Sequence, residues 1–168
     1  MKLLVFSDSH RSKAGMDAVL RKTHRLISAV AHLGDGWDEI HALMLMYPFL
    51  PLYAVEGNCD YESGPGALTF YFASKKFIIT HGHRFQVKSG YLRIGLWARE
   101  NEADVCLFGH THIPEIFYSG KTLMMNPGSI GMPKPDTLAS YGIVDVLKNG
   151  VIESGIMFRQ GKSYKRID

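Results

Sequence analysis

Two histidines follow a short apolar run in the second half of the chain. The run at 105–108 is typical of a buried strand, and Gly109-His110-Thr111-His112 comes directly after it. Histidine is the commonest metal ligand among side chains, so the pair raises the question of a metal site. In a loop of this kind the two imidazoles can each face a different metal ion. The pair alone does not decide this, because a metal site needs further ligands.

Side chains that can also bind metal ions follow four other predicted strands. Asp8 and His10 follow the strand at 3–6, Asp35 the strand at 31–33, Asn58 the strand at 52–55 and His81 the strand at 76–80. Loops at the carboxyl ends of strands gather on one edge of an open α/β sheet, so we expect these side chains to meet there. Buried carboxylates and imidazoles need partners or a metal to offset their lost hydration.

The chemistry of these seven donors favours particular metals. Carboxylate, amide and imidazole donors without a thiolate suit Mn, Fe or Zn better than a soft metal. Seven donors also exceed the four of one tetrahedral site. Two ions that share one carboxylate account for the number of donors.

The elements that carry these residues alternate between strands and helices in the first third of the chain. Apolar residues at three- and four-residue steps from Met16 to Val30 predict one helix. A second apolar stripe, from Trp37 to Tyr47, predicts another helix that is ended by Pro48. This βαβαβ order predicts a mostly parallel sheet with helices on its faces.

Beyond a loop at 63–66 the pattern changes to one in which strands predominate. The predicted elements are strands at 68–72 and 76–80, a helix at 89–101, the strand at 105–108, and strand pairs at 115–118 with 122–125 and 141–147 with 151–158. Asn149-Gly150 lies between the last two strands and is typical of a hairpin turn. We therefore predict one α/β domain over residues 1–168, whose second half adds antiparallel strands as a second sheet packed on the first.

Composition places the chain among ordinary globular proteins. Of its 168 residues, 46% are apolar and 21% are charged, and the net charge of +3 does not by itself indicate nucleic acid or a membrane. The opening apolar residues are too few for a signal sequence, and no run approaches the ~18 residues of a spanning helix. Two cysteines, Cys59 and Cys106, provide no disulfide framework. We expect a reduced, cytoplasmic location and no membrane association.

Five short motifs, in their order and spacing, resemble those of the calcineurin-like metallophosphoesterases. They are Asp8-x-His10, Gly34-Asp35, Gly57-Asn58-x-Asp60, His81-Gly82-His83 and Gly109-His110-x-His112. The chain is most similar to the small single-domain bacterial and archaeal phosphodiesterases of that superfamily, which also carry Gly-Asn-Cys-Asp and a late Asn-Pro-Gly-Ser, here at 126–129. The resemblance spans residues 1–158. It implies a four-layer α-β-β-α sandwich, in which two mixed β-sheets pack face to face between flanking helices.

The resemblance also implies a role for each ligand. Asp8, His10 and His112 would hold a first ion, Asn58, His81 and His110 a second, and Asp35 would bridge the two. Asp35, Asn58 and His81 are the implied catalytic residues. The implied activity is hydrolysis of a phosphodiester, or of a phosphomonoester, in a small substrate by a hydroxide that two divalent ions activate. Mn is the first expectation for the metal, with Fe, Zn, Ni and Mg as alternatives.

Three more residues are candidates for supporting the site: Cys59, Asp60 and His83. Many relatives have histidine at the position of Cys59, where it is thought to protonate the leaving group. A free thiol, with a pKa of about 8.5, is a poor substitute. We therefore expect leaving-group protonation to be weak, or left to water or His83, so that good leaving groups are preferred. Asp60 is expected to fix its loop through backbone hydrogen bonds, and the motif at 126–129 is either a plain turn or a further support.

Two other functions stay open from the sequence. One retromer subunit with this fold is a non-catalytic scaffold, but here all seven ligand positions hold competent residues, which favours an enzyme. Repair nucleases share the motifs, but 168 residues leave little room for a DNA-engaging domain. The sequence also lacks a basic stripe with interleaved aromatics that would mark a strand-binding groove. We expect a small phosphate ester as the partner, and the sequence does not predict the oligomeric state.

Overall fold

The computed structural model describes residues 1–61, 64–161 and 163–166. Within those ranges the chain forms eleven strands, three α-helices and two short 3-10 helices. In chain order they are β1 (Lys2–Phe6), α1 (Lys13–Thr23), β2 (Ala29–His32), α2 (Trp37–Met44), β3 (Leu52–Ala54), β4 (Ala67–Phe72), β5 (Lys75–Thr80), the 3-10 helices His83–Phe85 and Val87–Ser89, α3 (Leu92–Glu100), β6 (Val105–Leu107), β7 (Pro114–Ser119), β8 (Thr122–Pro127), β9 (Ser140–Val146), β10 (Ile152–Gln160) and β11 (Ser163–Arg166).

The strands form two mixed sheets. The first has the order β11-β10-β9-β1-β2-β3, in which β1, β2 and β3 are parallel and the other pairs are antiparallel. The second has the order β4-β5-β6-β8-β7, in which β5, β6 and β8 are parallel and the two edge strands are antiparallel to their neighbours.

The sheets pack face to face because alternate residues of each strand point to opposite sides. Leu3 and Val5 of β1 belong to a buried cluster that also holds Phe77 and Ile79 of β5, so this cluster fills the space between the sheets. Leu4, between Leu3 and Val5, points the other way and packs in a second cluster with residues of α1 and α2.

The outer face of the second sheet is covered in the same manner. Ile78 of β5 and Cys106 of β6 are fully buried in a third cluster with Ile94 and Ala98 of α3. The molecule therefore has helices outside each of two stacked sheets, and the predicted four-layer α-β-β-α sandwich is confirmed.

Several predicted bounds are wrong. The first helix ends at Thr23, and Val30 belongs to β2, where it packs in the same cluster as Met16 of α1. Because Val30 of the strand and Met16 of the helix face the same core, their spacing in the sequence resembled the apolar face of one longer helix. The third helix begins at Leu92 rather than at 89, because residues 87–89 form a 3-10 helix. Ser63, the first residue of the predicted loop at 63–66, lies outside the described residues.

The last three strands join the first sheet, not the second. β9 pairs antiparallel with β1, with Lys2 opposite Asp145, and β10 and β11 extend that edge. This arrangement pairs the backbone groups of β1 on both sides. The short strand β11 was not predicted. None of the helices in the described ranges has the length and apolar character of a membrane-spanning segment.

Candidate metal centre

The seven predicted ligands lie at the carboxyl ends of five strands and meet where the two sheets adjoin. Asp8 and His10 follow β1, Asp35 follows β2, Asn58 follows β3, His81 follows β5, and His110 and His112 follow β6. Nε2 of His81, from the second sheet, lies 3.5 Å from Oδ2 of Asp35, from the first. The site is therefore built across the junction of the two sheets.

Most of these residues have a left-handed backbone conformation. Five of the seven have a positive φ: Asp8 (51°), His10 (41°), Asp35 (56°), His110 (69°) and His112 (60°). The left-handed region is rare for residues other than glycine, and such strain concentrates at functional sites. Backbone hydrogen bonds support it here, since Asp8 N–H donates to Gly34 O and His10 N–H donates to Asp35 O, both at 3.0 Å.

Four of the ligands form one close group. Asp8, His10, Asp35 and His112 each offer a ligand atom, and these four atoms all lie within 4.8 Å of one another. Nε2 of His112 lies 3.1 Å from Asp8 Oδ1 and 3.2 Å from Nε2 of His10. Nε2 of His10 lies 3.6 Å from Asp35 Oδ2.

The remaining three predicted ligands form a second group around His81, whose Nε2 also lies 4.0 Å from Asp8 Oδ1. Nε2 of His81 lies 3.1 Å from Oδ1 of Asn58 and 3.2 Å from Nδ1 of His110. The same Nε2 lies 3.5 Å from Asp35 Oδ2. One oxygen of Asp35 thus lies within 3.6 Å of a histidine nitrogen from each group.

Two backbone carbonyls determine which histidine nitrogens carry protons. Nδ1 of His81 lies 2.7 Å from Leu33 O, and Nδ1 of His112 lies 2.5 Å from Met132 O. A carbonyl only accepts, so both Nδ1 atoms donate. The Nε2 lone pairs of the neutral rings are thereby directed at the other ligands, as metal-binding histidines require.

The carboxylate of Asp8 is only partly satisfied by hydrogen bonds. Oδ2 accepts hydrogen bonds from Ser7 Oγ at 2.6 Å and from His110 N–H at 3.0 Å. Oδ1 is buried and has no hydrogen-bond partner among the described residues, and its nearest ion-pair neighbour is Nε2 of His112. A buried acceptor without a donor is costly unless a cation neutralises it. The arrangement and chemistry of these donors fit a divalent metal ion.

The electrostatics of the site favour positive charge between its carboxylates. Burial raises the pKa of Asp35, but hydrogen bonding and charge interaction with His81 and the N–H of Cys59 outweigh it, so the pKa is well below its usual range. Burial lowers the pKa of His81, but Asp35 and Asp8 more than offset it and the pKa is raised. Burial and nearby His81 lower the pKa of His110 to about 4, which keeps this imidazole neutral.

The carboxylate of Asp60 binds four backbone amides. Its oxygens accept hydrogen bonds from the N–H groups of Asp35, Gly36, Trp37 and Gly57, at 2.7–3.1 Å. It thereby joins the loop after β2 to the loop after β3, which carry two of the ligands.

Cys59 and His83 lie at the edge of the site. Cys59 is exposed, its Sγ accepts a hydrogen bond from Asn58 Nδ2, and burial together with the charge of Asp35 raises its pKa to about 11. The ring centroid of His83 lies 5.4 Å from that of His81. Its Nδ1 is buried without a hydrogen-bond partner in the described ranges, and burial and His81 lower its pKa.

A cavity of about 450 Å³ adjoins the first group of ligands. Its walls include His10, Asp35 and Cys59 on the side of the ligands and Arg11, Trp37 and Tyr61 further out. The cavity therefore leaves open space beside the candidate metal centre.

Sequence reasoning missed several groups that hold the ligands in place. The carbonyls of Leu33 and Met132 are backbone atoms, which no residue pattern reveals. Ser7 could have been suspected from the sequence, because it directly precedes Asp8 and its hydroxyl can donate a hydrogen bond to the neighbouring carboxylate. His32 of β2 is fully buried, with Nε2 at 3.2 Å from Ser9 Oγ.

Comparison with known proteins establishes the family. The family model described as the calcineurin-like phosphoesterase superfamily domain matches residues 1–149. The chain therefore belongs to the calcineurin-like phosphoesterase superfamily, as its motifs predicted.

Individual relatives are similar over most of their length. The chain is 34% identical over 146 residues to the probable metallophosphoesterase YsnB of Bacillus subtilis (strain 168), covering 86% of this chain and 83% of that protein. It is 34% identical over 175 residues to the phosphodiesterase YfcE of Escherichia coli (strain K12), covering 86% and 88%. The crystal structure of a predicted phosphoesterase from Streptococcus pneumoniae TIGR4 superposes with a TM-score of 0.81 at 29% identity, covering 99% of this chain and 96% of that one.

Proposed function

We propose that this protein is a phosphodiesterase that hydrolyses a small phosphate ester with two divalent metal ions. Asp8, His10 and His112 would hold the first ion, and Asn58, His81 and His110 would hold the second. Asp35 would bind both. The observation that carries this proposal is the position of Asp35 Oδ2, within 3.6 Å of a histidine nitrogen from each group.

The bound ions would polarise a phosphoryl group and lower the pKa of water. The side chains of this chain have three further tasks. The amide of Asn58 is neutral, so it can contact a phosphoryl oxygen without adding negative charge. His81 is held by Leu33 O, so its Nε2 stays directed into the site. The carboxylate of Asp35 supplies negative charge between the two groups of ligands. The sequence contains no Gly-x-Ser-x-Gly motif, and no covalent enzyme intermediate is needed.

The cavity beside the centre supports a diester rather than a monoester as the preferred substrate. A diester has a second organic arm, and the space between His10, Cys59 and Trp37 can accept it. Phosphomonoesters are the secondary proposal. YfcE is named a phosphodiesterase, which supports the same choice.

The other parts of the proposal follow from composition and donor chemistry. We propose Mn as the metal, with Fe, Zn, Ni and Mg as the alternatives to test, because oxygen and nitrogen donors suit this group. We also propose that residues 1–168 form one domain and that the protein is cytoplasmic and does not act on nucleic acid. The scaffold alternative gains no support from the ligand set, since each of the seven positions holds a side chain that can bind a metal.

The test is hydrolysis of bis(p-nitrophenyl) phosphate by metal-stripped protein, before and after addition of each of the five metals. We expect activity only with metal and two bound ions per chain by metal analysis. Asp35→Asn should lower kcat/KM by at least about 100-fold, because loss of a ligand exceeds the 10- to 100-fold effect of its supporting partners. Asp145→Asn is the matched control, since Asp145 pairs with Lys2 far from the site. Equal activity of the stripped and metal-loaded protein would overturn the proposal.

A further inference from the structure

The loop after β8 lies directly against the first group of ligands. N–H of Ile130 donates to Ser7 O at 3.2 Å. A Cβ on Gly131 would overlap the carbonyl of Ser9, so the two backbones touch. This loop contains Ser129, the last residue of the Asn-Pro-Gly-Ser motif, for which the sequence left open either a turn or a supporting role.

The hydroxyl of Ser129 makes two hydrogen bonds that join separate parts of the site. It donates to Asp8 O at 2.7 Å and accepts from Met132 N–H at 2.7 Å. Ser129 is fully buried, so no water competes for this hydroxyl. The bond to Asp8 holds a residue whose φ is +51°, a conformation that needs support from its surroundings.

Met132 continues the connection to a second ligand. Its carbonyl accepts the hydrogen bond from Nδ1 of His112, which directs Nε2 of that ring toward Asp8 Oδ1, 3.1 Å away. Ser129 therefore fixes the backbone of Asp8 on one side and the residue that orients His112 on the other. Asp8 and His112 belong to the same group of ligands.

Two of the three residues in the other group are supported independently, and the third, His110, is linked to Asp8 because its N–H donates to Asp8 Oδ2 at 3.0 Å. His81 is oriented by Leu33 O, and the loop that carries Asn58 is held by Asp60 through Gly57 N–H. None of these hydrogen bonds involves the loop after β8.

We propose that Ser129 is a positioning residue mainly for the first metal ion. This inference rests on the metal centre proposed above. Removal of the hydroxyl is expected to let the Asp8 carbonyl and the Met132 carbonyl move apart, so that Asp8 and His112 no longer point to a common position. Supporting hydrogen bonds of this kind change metal affinity by 10- to 100-fold.

The experiment is a titration of metal-stripped protein with Co²⁺, followed by calorimetry and by visible absorption. For Ser129→Ala we expect one of the two binding steps to weaken by about 10- to 100-fold, with a changed absorption band, while the other step weakens much less. Ser129→Cys keeps a slightly larger and weaker hydrogen-bonding group at this position, and a smaller loss in the same step is expected. It also serves as the test if Ser129→Ala does not fold.

Ser140→Ala is the matched control. Ser140 is also fully buried, and its hydroxyl donates to Pro127 O at 2.7 Å, whereas among the described residues that hydroxyl has no hydrogen bond to a predicted ligand. We expect similar loss of thermal stability in both alanine variants and a loss of Co²⁺ affinity only in Ser129→Ala. Unchanged binding in folded Ser129→Ala, equal weakening of both steps, or the same loss in Ser140→Ala would overturn the inference.

The wild-type titration separates this inference from the proposed function. Two binding steps and diester hydrolysis that Ser129→Ala leaves unchanged would refute the role of Ser129 alone. A single step in the wild-type protein would refute the two-ion proposal, and Ser129 would then be judged by the affinity of that one ion. No binding at all would refute both.

Discussion

At the scale of single residues, the site combines a strained backbone with a buried carboxylate. Asp8 and Asp35 have left-handed backbones, and one oxygen of Asp8 is buried without a hydrogen-bond donor among the described residues. Two of the histidines are nonetheless oriented by backbone carbonyls, His81 by Leu33 O and His112 by Met132 O. These features destabilise the protein when no cation is bound, and they leave its side chains arranged to bind one.

The residue Cys59 leads to a prediction about leaving groups. With its pKa raised to about 11, the thiol is a poorly matched proton donor at neutral pH. The rate of diester hydrolysis by the wild-type protein should therefore fall steeply as the pKa of the leaving phenol rises. Cys59→His should make this dependence shallower, because an imidazole near neutrality can donate the proton.

The measurement is kcat/KM for aryl phosphodiesters that share one arm and differ in the phenol. Cys59→Ser is the control, because a hydroxyl of similar size is no better as an acid and should keep the steep dependence. A flat dependence in the wild-type protein would show that another group protonates the leaving phenol.

At the scale of elements, the ends of β2 and β3 must approach each other closely for their loops to share a site. Gly57 makes this possible, because a Cβ there would overlap the carboxylate and the backbone nitrogen of Asp35. Asp60 then joins the two loops through four backbone amides. The strands thus bring the ligands to one edge, and the loops determine their spacing.

Gly57→Ala should displace Asp35 and weaken metal binding. Because the loops cannot separate without losing the hydrogen bonds of Asp60, we expect a loss of about 1–3 kcal/mol in the free energy of unfolding. Urea unfolding and metal analysis would measure both effects. Gly15→Ala, within α1, is the control: its Cβ would lie 3.1 Å from the Ser12 hydroxyl, alanine favours the helix, and metal content should stay unchanged.

At the scale of the whole molecule, burial of polar groups beneath the site makes stability depend on pH. His32 lies at the end of β2 and is fully buried. Burial lowers its pKa to about 4, although the charges of Asp60 and Asp8 oppose this shift. The folded protein therefore keeps this imidazole neutral, whereas the unfolded chain binds a proton below a pH of about 6.5.

The sign of the effect follows from proton binding. Between a pH of about 6.5 and 4 the unfolded state binds more protons, so the contribution of His32 is complete above this range and is lost as the pH falls through it. The full loss is roughly 3 kcal/mol. We expect His32→Gln to reduce the decline of the unfolding free energy over this range. Urea unfolding in the presence of a chelator would measure it, and parallel pH profiles for the two proteins would contradict the assignment.

The side chains proposed as ligands could be located from the sequence because the features that mark them are local. Asp8, Asp35 and His81 each directly follow or nearly follow an apolar run, and parallel strands bring their carboxyl ends to one edge for any chain of this pattern. The alternation of Leu3, Leu4 and Val5 likewise decides which side chains face each layer. The family motifs added the assignment of ligands to two ions, which is still a proposal.

Other features depend on contacts between distant parts of the chain. Residue types alone did not reveal that β9 pairs with β1, because several strand pairings satisfy the same periodicity. They also did not reveal that Val30 lies in a strand, because it packs in the same buried cluster as the apolar residues of α1. The carbonyls of Leu33 and Met132 carry no residue-specific pattern at all. Sequence by itself thus determined the fold class and which side chains gather, since these follow from periodicity and polarity. Only the tertiary structure decided which backbone groups orient them, since that depends on the long-range approach of loops such as the one that carries Ser129.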